Sequence, residues 1–277
     1  MAISSLPWRP ALALLAAAAT VLALGMPADA STGTAQISPE QAGYTATGAQ
    51  FRHISASVYL RNPAQYAGEV ASFAHSVQLW SSGLVITIGL TASTSGSAYT
   101  PSATIYDRST HQVIASDPNA QYCEPSGDCF SDRPFTFPSG SRLTLTINYL
   151  PEVGEVAMFE SSNNGYDFNS SYALTAQAFS QARVGTEFGS SPWDASYPHT
   201  PPVKSLKIAA YNDVSLRSYS GHTATLWSWW VHHKLLANTG QQSGSDWVAV
   251  PGDLSNGGAS FQTLFVPENA QSPPAVP

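Results

Sequence analysis

The sequence Gln181-Ala-Arg-Val-Gly-Thr-Glu187-Phe-Gly189 has the alternation of a β-strand that is buried on one face. Because side chains in a strand alternate with a period of two, Val184 and Phe188 lie on an apolar face, and Gly185 and Glu187 lie on the opposite one. The glycine leaves open space next to the carboxylate. We therefore treat Glu187 as the first candidate functional residue, against the alternative that it is an ordinary solvated glutamate.

The rest of the chain consists of similar short segments separated by Gly, Pro and Ser. The clearest alternation is in Leu143-Thr-Leu-Thr-Ile-Asn-Tyr149, and Leu84–Thr91 also has its aliphatic side chains on one face. Helices are predicted only over 62–73 and 232–238. Many short strands without a long amphipathic helix predict an all-β fold, an antiparallel β-sandwich of two packed sheets. The other predicted strands are 51–59, 77–80, 102–107, 112–115, 154–160, 172–179, 205–211, 223–231 and 260–266.

The N-terminus has the features of an export signal. Arg9 precedes the apolar run Ala11–Leu24, and Ala28-Asp29-Ala30 gives a small-x-small end. This combination is typical of a cleavable secretory signal peptide. The apolar run is shorter than the roughly 20 residues of a membrane span, which disfavours the alternative of an uncleaved anchor. We expect a signal peptide over 1–30 and a secreted, extracellular protein.

The mature chain is expected to hold one domain, since about 240 residues suit a single large all-β unit. We predict a flexible N-terminal segment over 31–41, the sandwich over 42–267 and a disordered tail over 268–277. Charged residues make up 10% of the chain and its net charge is −7. Nucleic acids and anionic membranes need basic patches, so neither is expected as a partner. We expect a monomer that binds an extracellular peptide or glycan, with no membrane contact after signal cleavage and no cofactor.

The two cysteines, Cys123 and Cys129, enclose the sequence Glu-Pro-Ser-Gly-Asp. In an exported protein this spacing predicts a disulfide that closes a turn. No histidine lies nearby, so the pair would make a poor zinc site, and no metal site is predicted.

Two further groups of residues could carry catalysis or binding. Glu155 and Glu160 could supply the two carboxylates of a glycosidase, but their odd spacing puts them on opposite faces of a strand and favours a solvated edge. Trp227 and Trp229 share a strand face and could form either core or a stacking platform, with core favoured.

Four segments resemble the glutamic peptidases (eqolisins) in the same order along the chain. Ala42-Gly-Tyr-Thr-Ala-Thr-Gly48 is similar to the first Ser-Gly-Tyr-x-x-Thr-Gly run of that family, and Val77–Thr91 occupies the place of its Trp-Val-Gly-Ile-Asp-Gly and Gln-Thr-Gly segments. Ser102–Asp107 resembles its Ala-Trp-Tyr-Glu strand, and Ala182–Glu187 resembles its Ala-Glu-x-Ile-x-Glu strand. The resemblance implies a concanavalin-like sandwich of two antiparallel sheets, with substrate lying across the concave sheet.

The resemblance also implies roles for single residues. Glu187 falls on the catalytic glutamate, which acts as general base towards a water and then as acid towards the leaving amine. The family glutamine, which orients the water and donates to the oxyanion, aligns with Thr87, whose hydroxyl is too short to reach the same place. Gln78, one strand earlier, is the nearest substitute and shares a face with Trp80. The alignment and the strand face shared with Gln78 imply that substrate contacts Trp80, Tyr106 and Asp107.

Arg183 departs from the family pattern, which has an acidic residue at that position. It lies on the same strand face as Glu187 but four residues away, about 13 Å at roughly 3.3 Å per residue, so a direct ion pair is not expected. Two functional hypotheses remain open. The first is an acid endopeptidase with Glu187 as base and Gln78 or Thr87 as polarising group. The second is a non-catalytic sandwich that binds a glycan or peptide through Trp80, Tyr106 and the tryptophan cluster.

Overall fold

The computed structural model describes residues 36–38, 41–66, 72–93, 95–131, 134–187, 206–227, 232–237 and 249–265. The predicted signal peptide (1–30) and C-terminal tail (268–277) lie outside these ranges. Within them, no helix is long and apolar enough to cross a membrane.

The described part of the chain is built almost entirely of β-strands, with one short 3-10 helix at Pro63–Tyr66. The strands are β1 (Gln36–Ser38), β2 (Gln41–Ala46), β3 (Phe51–Tyr59), β4 (Ser72–Trp80), β5 (Leu84–Ser93), β6 (Ala98–Asp107), β7 (Val113–Ser116), β8 (Gln121–Cys123), β9 (Cys129–Phe130), β10 (Phe137–Pro138), β11 (Arg142–Leu150), β12 (Glu155–Ser162), β13 (Asp167–Ala173), β14 (Gln181–Glu187), β15 (Leu206–Ser218), β16 (Thr223–Ala224), β17 (His232–Ala237), β18 (Ala249–Pro251) and β19 (Phe261–Phe265).

The strands form two antiparallel layers that are joined along one side. The front layer has the order β17-β2-β14-β4-β5-β6-β7, and the back layer has the order β13-β12-β11-β3-β15-β19. β18 pairs with both β17 and β19 and so joins the layers. β3 packs against β4 and β14 without pairing to them, and β11 does the same with β4 and β5. The predicted antiparallel, concanavalin-like β-sandwich is confirmed.

The core lies between the layers, where the alternating strands direct their apolar side chains. Removing such side chains from water is the main force that holds the layers together, at about 25 cal/mol per Å² of apolar area. Apart from His75 and Thr186, the polar side chains of β4, β5 and β14 consequently lie on the outer face of the front layer. Fully buried aliphatic residues include Val77, Leu79, Ile86, Ile88 and Leu90 in the front layer and Ile54, Val58, Leu143, Leu145 and Ile147 in the back layer.

The prediction of a helix is wrong for 232–237, and the described part of 62–73 meets it only with a short 3-10 helix. The described part of 62–73 has only the 3-10 helix, which ends at Tyr66, and β4 begins at Ser72. Residues 232–237 form β17, which pairs with β2. Sheet pairing outweighs local propensity there. β1 lies within the segment predicted to be flexible and pairs in parallel with β17.

The disulfide between Cys123 and Cys129 is confirmed. The two cysteines lie opposite each other in the β8–β9 hairpin, where Tyr122 also pairs with Phe130. The bond therefore holds the shape of a hairpin whose strands are too short to be stable alone.

Glu160 is fully buried, so the prediction of a solvated edge is wrong for this residue. Its partners on the neighbouring strands, Leu145 and Phe168, are buried as well. Neither carboxyl oxygen makes a hydrogen bond of good geometry within the part of the chain that the structure describes, and the nearby backbone of Ser102 lowers the pKa of Glu160 by less than burial raises it. Burial raises the pKa of Glu160 well above its ordinary value, and the charge of Asp117 raises it further. Glu160 is therefore neutral in the folded protein at acid pH.

We expect the free energy of unfolding of Glu160→Gln, relative to that of the wild type, to rise with pH above about pH 4.3. An unfolded Glu ionises near pH 4.3, whereas the folded chain keeps this proton to higher pH, so the folded state binds more protons and loses stability as pH rises. Each unit of pKa difference contributes about 1.4 kcal/mol. Urea unfolding at several pH values measures the slope. The half-exposed Glu155 on the same strand provides the control Glu155→Gln, and an unchanged slope in Glu160→Gln would contradict the prediction.

Candidate active site

The site lies on the outer face of the front layer, where β14 pairs with β4. The register puts Arg183 opposite Gln78 and Gly185 opposite Ser76, with Glu187 one step further along. Strand alternation sends all five side-chain positions to the same face. The segments 72–80 and 181–187, which are distant in sequence, thus supply one continuous polar surface.

Glu187 contacts two donors from β4. Gln78 Nε2 donates to Glu187 Oε1 at 2.8 Å, and the Ser76 hydroxyl donates to the same oxygen. Ser76 lies opposite Gly185, and because this glycine has no side chain the carboxylate can lie over it and reach both donors. Within the described part of the chain, Oε2 accepts no hydrogen bond. One carboxylate oxygen is therefore held in place while the other can accept from a water.

Trp80 fixes the orientation of the Gln78 amide. Its indole Nε1 donates to Gln78 Oε1 at 2.7 Å. An indole N–H is a donor only, so the atom it reaches must be the amide oxygen. The amide NH₂ is consequently directed at Glu187. One of its two hydrogens serves Glu187 and the second remains for another acceptor.

The pKa of Glu187 is raised by burial, since only 8% of the residue is exposed. Three groups act in the opposite direction, namely the Ser76 hydrogen bond, the charge of Arg183 and the Gln78 hydrogen bond. Burial has the larger effect. The carboxyl therefore exchanges its proton at a higher pH than a solvated glutamate.

Ser76→Ala is expected to raise the pH at which the Glu187 carboxyl titrates, which NMR of the labelled side chain measures. The hydroxyl stabilises the ionised form of Glu187, so its loss raises the pKa of that carboxyl further. The same titration of Ser81→Ala serves as control, because the Ser81 hydroxyl bonds only within the turn after β4. A titration that does not move in Ser76→Ala would show that this hydroxyl does not act on Glu187.

Thr87 lies beside the site without touching Glu187. It pairs with Gln78 across β4 and β5. Its hydroxyl is buried and makes no hydrogen bond among the described residues. The structure therefore places the amide of Gln78, rather than the hydroxyl of Thr87, against the carboxylate.

The three positions expected to contact substrate differ in their surroundings. Trp80 and Tyr106 pack together with Val85 on the outer face, and only 5% and 8% of their surface is exposed. Asp107 is turned away, because its carboxylate accepts hydrogen bonds from the backbone of Ser109 and Thr110 in the turn after β6. These bonds, led by that of the Ser109 hydroxyl, lower the pKa of Asp107. Asp107 holds a turn, and the two aromatic rings are largely covered.

A buried polar cluster lies beneath the site, between the layers. His75 Nδ1 is 3.3 Å from Thr186 Oγ1 and 3.2 Å from Tyr211 Oη. Thr186 Oγ1 is also 3.1 Å from Tyr211 Oη and 2.9 Å from Thr263 Oγ1. Burial lowers the pKa of His75 to about 3, so the imidazole stays neutral at moderately acid pH. The cluster ties Thr186, which precedes Glu187, to both layers.

Two glycines let β2 and β14 approach closely next to Glu187. Gly43 lies opposite Gly185. A Cβ on Gly43 would be 2.7 Å from the Gly185 Cα, and a Cβ on Gly185 would be 2.9 Å from the Gly43 Cα. Real Cβ atoms do not approach backbone so closely, so a side chain at either position would separate the strands.

Gly185→Ala is therefore expected to destabilise the fold by about 1–3 kcal/mol through overpacking. Thermal unfolding measures the loss. The control is Gly83→Ala, because a Cβ on Gly83 meets no atom within 4 Å. Equal melting temperatures for the two variants would contradict the close approach.

Solved structures of known proteins match this chain in fold. No family model and no curated protein matches it. Scytalido-glutamic peptidase with a transition-state analogue inhibitor aligns with a TM-score of 0.57 and 14% identity, over 82% of this chain and 98% of that one. SCP-B, a member of the eqolisin family in complex with the tripeptide Ala-Ile-His, aligns with a TM-score of 0.54 and 14% identity over the same shares. This chain has the fold of the eqolisin glutamic peptidases.

Proposed function

We propose that this protein is a secreted endopeptidase that hydrolyses peptide bonds at acid pH, with Glu187 and Gln78 as its catalytic residues. The observation that carries the proposal is the 2.8 Å hydrogen bond between Gln78 Nε2 and Glu187 Oε1 on an outer sheet face. Three features support it: the raised pKa of Glu187, the fixed amide of Gln78 and the fold shared with eqolisin peptidases. The Cys123–Cys129 disulfide fits an oxidising compartment and so supports secretion.

The reaction follows from the two side chains. The Glu187 carboxylate takes a proton from a water as the water oxygen bonds to the carbonyl carbon of the substrate. The second N–H of Gln78 donates to the oxygen that becomes negative. Glu187 then gives its proton to the amide nitrogen, the C–N bond breaks, and an acid and an amine leave. Glu187 returns to the carboxylate, so protons balance over one cycle.

The test is digestion of reduced, denatured casein by the purified mature chain between about pH 3 and pH 7, with products identified by mass spectrometry. New internal termini that appear with the wild type and not with Glu187→Gln support the proposal. Equal product formation by both proteins at every pH overturns it.

The alternative of a silent glycan-binding sandwich receives no support from the aromatic residues of the site. Trp80 and Tyr106 are too covered to stack on a sugar ring. Trp227 is 49% exposed, which differs from the core position expected for it, and Trp229 lies outside the described residues. Absence of casein cleavage, together with binding of a peptide to the mature chain in a separate titration, would favour this role.

A further inference from the structure

Two arginines cover the indole of Trp80 next to the proposed catalytic pair. The guanidinium carbon of Arg183 lies 3.8 Å from the ring centroid, and that of Arg108 lies 5.2 Å from it. Arg108 Nη1 donates to the Ser81 carbonyl at 2.7 Å, and Arg183 Nη2 donates to Gln181 Oε1 at 3.1 Å. Both heads are therefore held in place by the ring and by hydrogen bonds.

The arginines determine what a bound peptide meets at this end of the site. Only 5% of Trp80 is exposed, whereas Arg183 and Arg108 are half-buried. A substrate that extends past Gln78 therefore reaches guanidinium groups before it reaches the indole. A planar guanidinium binds a carboxylate through two parallel hydrogen bonds and stacks on an aromatic ring at the same time.

The pairing of two arginines at one ring contrasts with the acidic character of the whole chain. The protein has 11 Lys and Arg residues and a net charge of −7, yet two of these cations converge on one ring. The charge of Arg183 also acts on Glu187, so its field extends into the site. An acidic protein that places paired cations beside its catalytic residues has a local preference for anions.

We propose, building on the proposed peptidase function, that Arg183 and Arg108 form a subsite that selects peptides with a carboxylate near the scissile bond. Arg183 is four residues from Glu187 along β14, about 13 Å, so the carboxylate lies within about four residues of the bond that is cut. The carboxylate can belong to an acidic side chain or to the peptide C-terminus. Both sources present the same chemistry to the guanidinium groups.

The experiment uses pairs of peptides that differ only by Glu against Gln at one position, scanned over four residues on each side of a cleaved bond. At about pH 5 most of a free Glu side chain is ionised. At one position the Glu peptide is expected to have a kcat/KM at least tenfold higher than the Gln peptide. Peptides with a free or an amidated C-terminus distinguish the second source of the carboxylate.

The variants Arg183→Gln and Arg108→Gln are expected to bring the Glu/Gln ratio towards one, with the larger change in Arg183→Gln. The ratio compares two substrates on the same enzyme at the same pH, so it is insensitive to a changed pKa of Glu187. Arg217→Gln is the matched control, because Arg217 is an exposed arginine on β15 of the back layer. It should leave the ratio unchanged.

Each outcome decides between the two proposals. Cleavage of all peptides with a Glu/Gln ratio near one at every position, and no effect of the C-terminal amide, overturns the subsite and leaves the peptidase function intact. If no peptide is cleaved, the peptidase function fails, and binding of the same peptides to Glu187→Gln tests the subsite alone. The subsite is supported if Glu187→Gln binds the carboxylate peptide more tightly than its uncharged counterpart and the Glu187→Gln/Arg183→Gln double variant does not. Equal binding of the two peptides to Glu187→Gln overturns the subsite.

Discussion

Glu187→Gln is expected to lower kcat by about 10²–10⁴, the range that general base catalysis contributes. The substitution keeps the shape of the side chain, and Gln can still accept from Ser76 and Gln78 through its oxygen. It removes the ability to take a proton from water. KM should change little, because the lost interaction is made in the transition state. Steady-state kinetics on a fluorogenic peptide at the optimal pH measures both parameters.

The fold of Glu187→Gln should remain intact, which separates catalysis from stability. Burial disfavours the ionised form of Glu187, so a neutral amide should leave stability at neutral pH equal or raise it. Glu155→Gln is the matched control and should retain full activity. If Glu187→Gln keeps more than about a tenth of the wild-type kcat, Glu187 is not the general base.

The two-layer fold could be predicted because the sequence of each strand indicates which of its faces is buried. Alternation in 143–149 and 84–91 indicated which faces are buried, and the structure buries those faces. The strand that ends at Glu187 also has the predicted faces, with Val184 in the core and Glu187 on the opposite face, and Phe188 lies outside the described residues. Such patterns hold because period-two alternation reports burial directly.

The pairing register of the strands could not be predicted from the sequence. The family resemblance points to Thr87 as the position of the polarising group, yet Gln78 on the preceding strand contacts Glu187. Which residue of β4 meets Glu187 depends on the pairing of two strands that are about 100 residues apart in the chain. Ser76 was missed for a local reason, since the predicted strand began at Val77 and β4 begins at Ser72. The spacing of Ser76, Gln78 and Trp80 on one face is the signal that identifies it.

Whether a side chain is covered by other residues is the second property that could not be predicted from the sequence. Trp80 looks like a stacking platform in the sequence because tryptophan on a polar strand face often binds rings. In the structure Arg183 and Arg108 occupy that position, and Arg108 comes from the turn after β6. Glu160 shows the same limit, because odd spacing from Glu155 gives its face and not whether that face is covered.

Gln78→Met is expected to lower kcat by about 10²–10³, or roughly 3–4 kcal/mol, which is the usual cost of removing one oxyanion donor. Methionine fills a similar volume but has no N–H for the substrate oxygen or for Glu187. Loss of the hydrogen bond also raises the pKa of Glu187, so the acid limb of the pH profile should move to higher pH. Trp80 Nε1 loses its acceptor, for which a stability cost of about 1–3 kcal/mol is expected.

Thr87→Val is the control that decides which side chain polarises the substrate. It removes a hydroxyl that is buried without a partner among the described residues, so stability should be unchanged or higher, and kcat should stay within about threefold of the wild type. Kinetics of both variants at the pH optimum of each, with melting temperatures measured alongside, separate the two candidates. If Thr87→Val costs more activity than Gln78→Met, the donor to the oxyanion comes from β5, and the hydrogen bond between Gln78 and Glu187 only holds the acid in place.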